Sequence, residues 1–252
     1  MQELYKSGRY FFAFAIIAFG IIQFNVQDFM SGFLPMPKNL PARTFFLYLI
    51  STLFVAGGTT MCIKNLTNRA AFLIGIVFFL LFLYPHLMNL FSDPHNPAPW
   101  TSGAEDLALC GGAFVIAGDI ERPNRSPIPS GLPAIGRILF AISLLVFSVQ
   151  HFLYADFIST LIPSWIPFKI FWAYFVGIAF FAACVGILTK IRIRLAGILV
   201  GFMYLFWVLF LHLPRVAADT HVEPEKTSMF IAFAFSGIFF TIASQYPPGI
   251  KA

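Results

Sequence analysis

Charge is what this chain has least of. Only 11% of its 252 residues are Asp, Glu, Lys or Arg, against about 25% in an ordinary soluble domain. A disordered chain needs the opposite balance, high charge and low hydrophobicity, and is excluded. A soluble enzyme of this length is excluded too, because 59% of the residues are hydrophobic and the mean hydropathy is +0.82. Cysteine is scarce as well. Cys62, Cys110 and Cys184 lie far apart and form no C-x-x-C pair, which argues against a disulfide framework or a thiol-redox motif. No P-loop, dinucleotide fingerprint, Ser-His-Asp pattern or H-E-x-x-H is present, so the common soluble chemistries have no foothold. The net charge of +5 is the one feature that hints at nucleic acid. In a membrane protein such an excess is Lys and Arg gathered on the cytoplasmic side, and no nucleic-acid partner is expected.

What is present is long apolar runs, with Phe alone occurring 33 times. A spanning helix needs about 20 largely apolar residues. Eight segments qualify: 9–27, 43–63, 70–91, 103–118, 135–154, 169–189, 195–213 and 228–245. Strands of a membrane barrel alternate in polarity over about ten residues, and these runs do not. The expectation is an all-α protein whose solvent is the lipid bilayer. Lys6 and Arg9 ahead of Tyr10–Ile22 are followed by no small-x-small site, so the first run reads as an uncleaved span.

Eight spans put both termini on one side. That side carries 11 of the 16 Lys and Arg, including Lys64, Arg69, Arg137, Lys190, Arg192 and Arg194. It is therefore expected to be cytoplasmic, most simply at a bacterial inner membrane. Eight of the 11 acids, and all five histidines, fall on the other, outer side.

The halves resemble each other. A shift of 128 gives ten identities among positions 8–35, among them Gly8-Arg9 with Gly136-Arg137 and Asp28-Phe29 with Asp156-Phe157. Beyond a two-residue gap the shift is 126. It aligns Gly75 with Gly201, His86-Leu87 with His212-Leu213, and Gly111 with Gly237. An even number of spans per copy gives two parallel units, related by an axis along the membrane normal. The expected organisation is a first four-helix unit over 1–121, a cytoplasmic linker over 122–133 and a second unit over 134–252.

Several motifs lie on this frame. They are a Gly-Arg start, Phe-Gly-Ile-Ile-Gln-Phe (19–24) with Phe-Ser-Val-Gln-His-Phe (147–152), Phe-Trp-Ala-Tyr-Phe-Val-Gly (171–177), Leu-His-Leu-Pro (211–214) and Trp-Thr-x-x-x-Glu-Asp-Leu-Ala (100–108). Together they resemble the DoxX-like family of small four-span membrane proteins, here in tandem. The resemblance implies a four-helix membrane unit. It also implies association with oxidoreductase complexes, including thiosulfate oxidation feeding quinone, and with other membrane or extracytoplasmic redox subunits. It carries no catalytic residue across.

Candidate sites come from the residues. His86-x6-Asp93-x-His95 and His212-x6-Asp219-x-His221 match at the same shift. Two imidazoles and a carboxylate suit a divalent metal; equally, a His at a helix C-terminus is favoured by the helix dipole. A bis-imidazole haem between His86 and His212 requires both to face the axis between the units. His151 stands where the first unit has Gln23, and His151 with His212 is the candidate pair for a quinone head group, with Trp165, Trp172 or Tyr154 on the ring. Those aromatics fit an interfacial belt equally well. Glu105 and Asp106 align with Ile231 and Ala232. They suit the first turn of a helix, and a carboxylate kept in one copy also suits proton handling. Asp28 and Asp156, in outer re-entrant or interfacial segments over 27–37 and 155–167, suit helix caps. Paired Gly57-Gly58 and Gly111-Gly112 suit close helix packing. The function expected is an integral membrane subunit linked to redox chemistry at the quinone level. A non-catalytic scaffold and a small-molecule carrier are the alternatives.

Overall fold

The computed structural model describes residues 7–118 and 128–246. Among them every regular element is helical. There are α1 (Gly8–Val26), α2 (Arg43–Met61), α3 (Thr67–Ser92), α4 (Pro97–Ala117) and α5 (Leu132–Leu153). A short α6 (Ala155–Leu161) precedes α7 (Lys169–Thr189), α8 (Ile193–Ala218) and α9 (Glu223–Gln245). The apolar runs become helices because lipid offers no partner for backbone polar groups, which must therefore pair within the segment. Sequence punctuation sets several ends. Asn96 accepts a hydrogen bond from the Ala98 amide at 3.0 Å and Pro97 opens α4, a standard N-terminal arrangement. Pro133 and Pro224 sit in the first turns of α5 and α9.

Seven of these helices are long and apolar enough to cross a membrane; α4 is not among them. Its length is sufficient, but Glu105, Asp106 and a run of small and polar residues lower its apolarity. The reason is its position. It packs against α3, α5 and α9 and is buried nearly without interruption from Ser102 to Ala117, so protein rather than lipid is its surroundings. Residues 122–127 of the expected 122–133 linker lie outside the described residues, as do both chain ends. The rest of that linker is already structured: Ile128 is buried and α5 begins at Leu132.

Helices α4 and α9 form the centre. On one flank, α1 packs on α2 and α9, and α2 on α3. On the other, α5 packs on α4 and α7, and α7 on α8, which returns to α9. Glycines permit the closest crossings. A side chain at Gly8 would strike the backbone of Gly237, and one at Gly111 the backbone of Gly136. Gly57 and Gly112 similarly receive the side chains of Ile74 and Ile238, and Gly58 the backbone of Ala13. Small residues are how membrane helices gain van der Waals contact, since lipid tails remove the hydrophobic drive.

Helices α3 and α8 are each irregular near the end, in different ways. α8 widens by one residue, the Leu213 amide bonding the carbonyl of Val208, whereas α3 kinks at Tyr84-Pro85, where the Tyr84 backbone is extended (φ −146°, ψ 116°). Such departures from regular helix re-aim the side chains beside them, and here those are His86 and His212. His86, His151 and His212 all lie toward one end of the bundle, called the histidine end below.

Candidate functional site

Two polar groups lie at the histidine end, one in each flank. The first is sealed. His86 and Asp106 are fully buried, with His86 Nε2 3.0 Å from Asp106 Oδ2. His86 Nδ1 lies 3.2 Å from Ser102 Oγ, whose proton goes to the Ala98 carbonyl at 3.1 Å. His86 thus touches Ser102 through Nδ1 and Asp106 through Nε2. Gln23, also fully buried, reaches Ser51 Oγ at 3.5 Å. This burial leaves no approach for a substrate. Its cause is the segment between α1 and α2. Met30, Phe33 and Leu34 are at most 1% exposed and fold into the flank, where the Phe33 ring meets Phe19 and Phe78. The expected interfacial piece over 27–37 is thus partly a plug.

The second group is open. A cavity of about 620 Å³ is lined by α4 to α9, with Gly32 of the segment between α1 and α2. That volume lies in the range of small-molecule sites. The cavity brings together Glu105, His151, His212, Tyr154, Tyr204 and Trp207. His151 Nδ1 donates to the Phe147 carbonyl at 2.8 Å, which leaves Nε2 as an acceptor. Its ring stands edge-on to Phe180, 5.2 Å away. Phe180, Tyr204 and Trp207 form an aromatic wall with centroids 5.0–6.1 Å apart. Gln150 is tied to Thr101 and Pro97 across the α4–α5 crossing. His212 Nδ1 is 3.6 Å from Glu225, which also pairs with Arg215 at 3.4 Å. Glu105 makes no hydrogen bond or ion pair with any described residue. Opposite the plug, α6 lies differently: Phe157 and Leu161 line the rim and stay 65% and 43% exposed.

His151 and His212 therefore do share one cavity, with Glu105 and Tyr154, as the candidate set requires. The other expectations fare differently. Among the described residues no three His, Cys, Asp or Glu converge as a metal-binding group. His86 is engaged inside the bundle, while Asp93 ends α3 and His95 lies in the exposed loop beyond. Asp219 ends α8 and accepts the His221 amide at 2.9 Å. His86 and His212 have separate partners in separate flanks, which does not provide a bis-imidazole pair for haem. Trp165 and Trp172 are exposed, and Trp207 takes the place on the ring wall expected of them. Asp28 accepts the Phe29 amide at 2.6 Å and pairs with Arg43; Asp156 makes no capping bond in α6. The three cysteines are free.

Sequence reading missed Ser102, Tyr204 and Trp207 as site-forming residues, and it did not separate Asp106 from Glu105. One signal was available for Asp106: on a helix, neighbours point about 100° apart, so the Glu105-Asp106 pair had to face two directions. No family model, no curated protein and no solved structure matches the chain.

Proposed function

We propose that the protein is an eight-span, DoxX-like integral membrane subunit, built as a tandem repeat and linked to redox chemistry at the quinone level. Its termini are cytoplasmic and the histidine end is outer, in keeping with the distribution of Lys and Arg. Matching contacts support the repeat. Gly8 on Gly237 corresponds to Gly136 on Gly111, and Gly75 under Phe114 to Gly201 under Phe240. Asn68 bonds the Ala117 carbonyl at 2.8 Å as Arg194 bonds that of Ala243 at 3.0 Å. Phe54 and Phe78 stack at 25°, and so do Phe180 and Tyr204.

The observation that carries the function is the outer cavity. Its walls are aromatic, its volume suits one substituted ring, and its few polar groups sit at the edge. A quinol offers two hydroxyl donors and a flat apolar ring. His151 Nε2 and the Glu105 carboxylate are acceptors for the former, and Trp207 with Phe180 a surface for the latter. The chain itself supplies binding and orientation; electrons pass to other redox subunits.

The test uses gently purified full-length protein. Titration with a short-chain quinol is expected to quench Trp207 fluorescence. The Trp207→Phe variant should lose the quenched component, and His151→Ala should weaken binding about tenfold, the effect of one lost hydrogen bond at about 1.4 kcal/mol. Absence of both co-purified quinone and quenching would leave a non-catalytic scaffold as the better reading.

A further inference from the structure

Glu105 and Asp106 are consecutive on α4 and are treated oppositely. Asp106 turns into the sealed flank and meets His86. Glu105 turns into the open cavity and meets no partner among the described residues. A buried charge is costly unless paired or hydrogen-bonded. An unpaired carboxylate beside a ligand cavity is therefore a group whose protonation follows what occupies the cavity.

Glu105 also belongs to a second, smaller pocket of about 190 Å³. The two pockets share Gly32, Thr101, Glu105, Ser228 and Ile231, and the smaller one continues past Phe33 and Pro224 to Thr227 and Glu223. Glu223 opens α9 and accepts the Ser31 hydroxyl at 3.3 Å on the exposed surface. Hydroxyls and carboxylates thus run from the cavity wall to the histidine end. The aligned position on α9 is Ile231, so the first flank has no such acid.

We infer that Glu105 exchanges protons between a quinol or other phenol bound in the cavity and the outer aqueous face, through the pocket of Thr101, Ser228, Thr227 and Glu223. The inference rests on the ligand reading above. The ligand O–H bond breaks and its proton moves to the Glu105 carboxylate, leaving an oxyanion on the ligand and a neutral carboxyl. The carboxyl then returns its proton to water in the small pocket and so to the surface. No electron moves in this step. The titratable groups around Glu105 are Asp106 on its own helix, His151 of α5, Tyr204 and His212 of α8, and Glu223 of α9. Tyr154 lies at the rim, and Arg215 acts through Glu225.

The probe is a chromogenic nitrophenol, whose phenolate absorbs at longer wavelength than the phenol, bound to the detergent-solubilised full chain. Trp207 quenching reports binding, and a stopped-flow pH jump reports ionisation. Glu105→Gln keeps an amide oxygen to accept from the ligand hydroxyl, so it should hold the probe within several-fold of the wild-type affinity while ionising it roughly 100-fold more slowly, the lower range for loss of a general base. Glu223→Gln and Thr227→Val should slow ionisation several-fold at unchanged affinity. Ionisation at the wild-type rate in Glu105→Gln overturns the inference. So does a loss confined to His151→Gln, which makes His151 the acceptor. A wild-type protein that binds no phenol or quinol overturns the ligand reading and this inference with it.

Discussion

The two flanks at the histidine end start from similar sequence and reach opposite outcomes. In the first, Phe33, Met30 and Leu34 fill the space between the helices and His86 is locked to Asp106. In the second, Leu161 stands where Phe33 would be and Ala232 where Asp106 would be. The ring that fills the space is gone, and so is the carboxylate that holds the imidazole. His212 then leans toward Glu225 and Arg215, and the emptied volume is the cavity. A few substitutions, none of them in a helix crossing, convert a packed interior into a site. The frame can tolerate this because its crossings are made elsewhere, at Gly8–Gly237 and Gly111–Gly136.

The largest expected effect comes from breaking the seal. Asp106→Ala leaves a buried imidazole with one partner. Removing one member of a buried pair costs about 3–5 kcal/mol, and thermal unfolding in detergent should show it. Replacing both, His86→Leu with Asp106→Leu, should recover most of the loss. Glu105→Ala, one residue away, should change the melting temperature little, because no protein partner is left behind. Equal losses at 105 and 106 would break the contrast. Phe33→Ala ranks next, at about 3–5 kcal/mol for a buried Phe. It should also create a cavity in the first flank that binds small apolar molecules. Phe157→Ala on the exposed α6 should cost under about 0.5 kcal/mol.

Much of this frame was legible in the sequence. The eight expected segments fall on the eight long helices, with ends displaced by at most six residues. Hydropathy suffices for seven of them, since lipid forces helix wherever a run is long and apolar enough; α4 falls short of that and is helical inside the protein. Hydropathy says nothing of rotation, because these helices are apolar on every side. The partner of His86 and the separation of Glu105 from Asp106 therefore stayed hidden. The plug was hidden for another reason. Residues 27–37 are as apolar as an interfacial segment, and only the space between α1, α2 and α3 decides that Phe33 turns inward. The His-Asp-His spacing misled because it joins a residue inside the bundle to two beyond the helix end.

A smaller effect, equal on both flanks, is expected at the glycine crossings. Gly237→Val and Gly111→Val each press a branched side chain onto the facing backbone. Overpacking of this kind costs about 1–3 kcal/mol. The two variants should lose similar stability, measured as the shift in unfolding temperature. A loss at one crossing with none at the other would mean that the flanks are not mounted on the centre in the same way.

A last, small effect separates what closes the first flank from what decorates it. Asp28 and Arg43 pair at 2.6 Å at the rim of the plug, and the Arg43 guanidinium lies 4.9 Å from the Phe29 ring. At the aligned positions, Asp156 and Lys169 make no ion pair among the described residues. The ion pair thus coincides with the closed state and invites a causal role. Its exposure argues against one, since Asp28 is 56% accessible. A pair so wet contributes about 0–1 kcal/mol and is screened by salt. Burial of Phe33 alone is worth several times that. Arg43→Gln should therefore lower stability by at most about 1 kcal/mol, less in high salt, and leave the first flank closed to small apolar ligands. A ligand-accessible first flank in Arg43→Gln would give the ion pair, rather than the buried Phe, the decisive part in the difference between the halves.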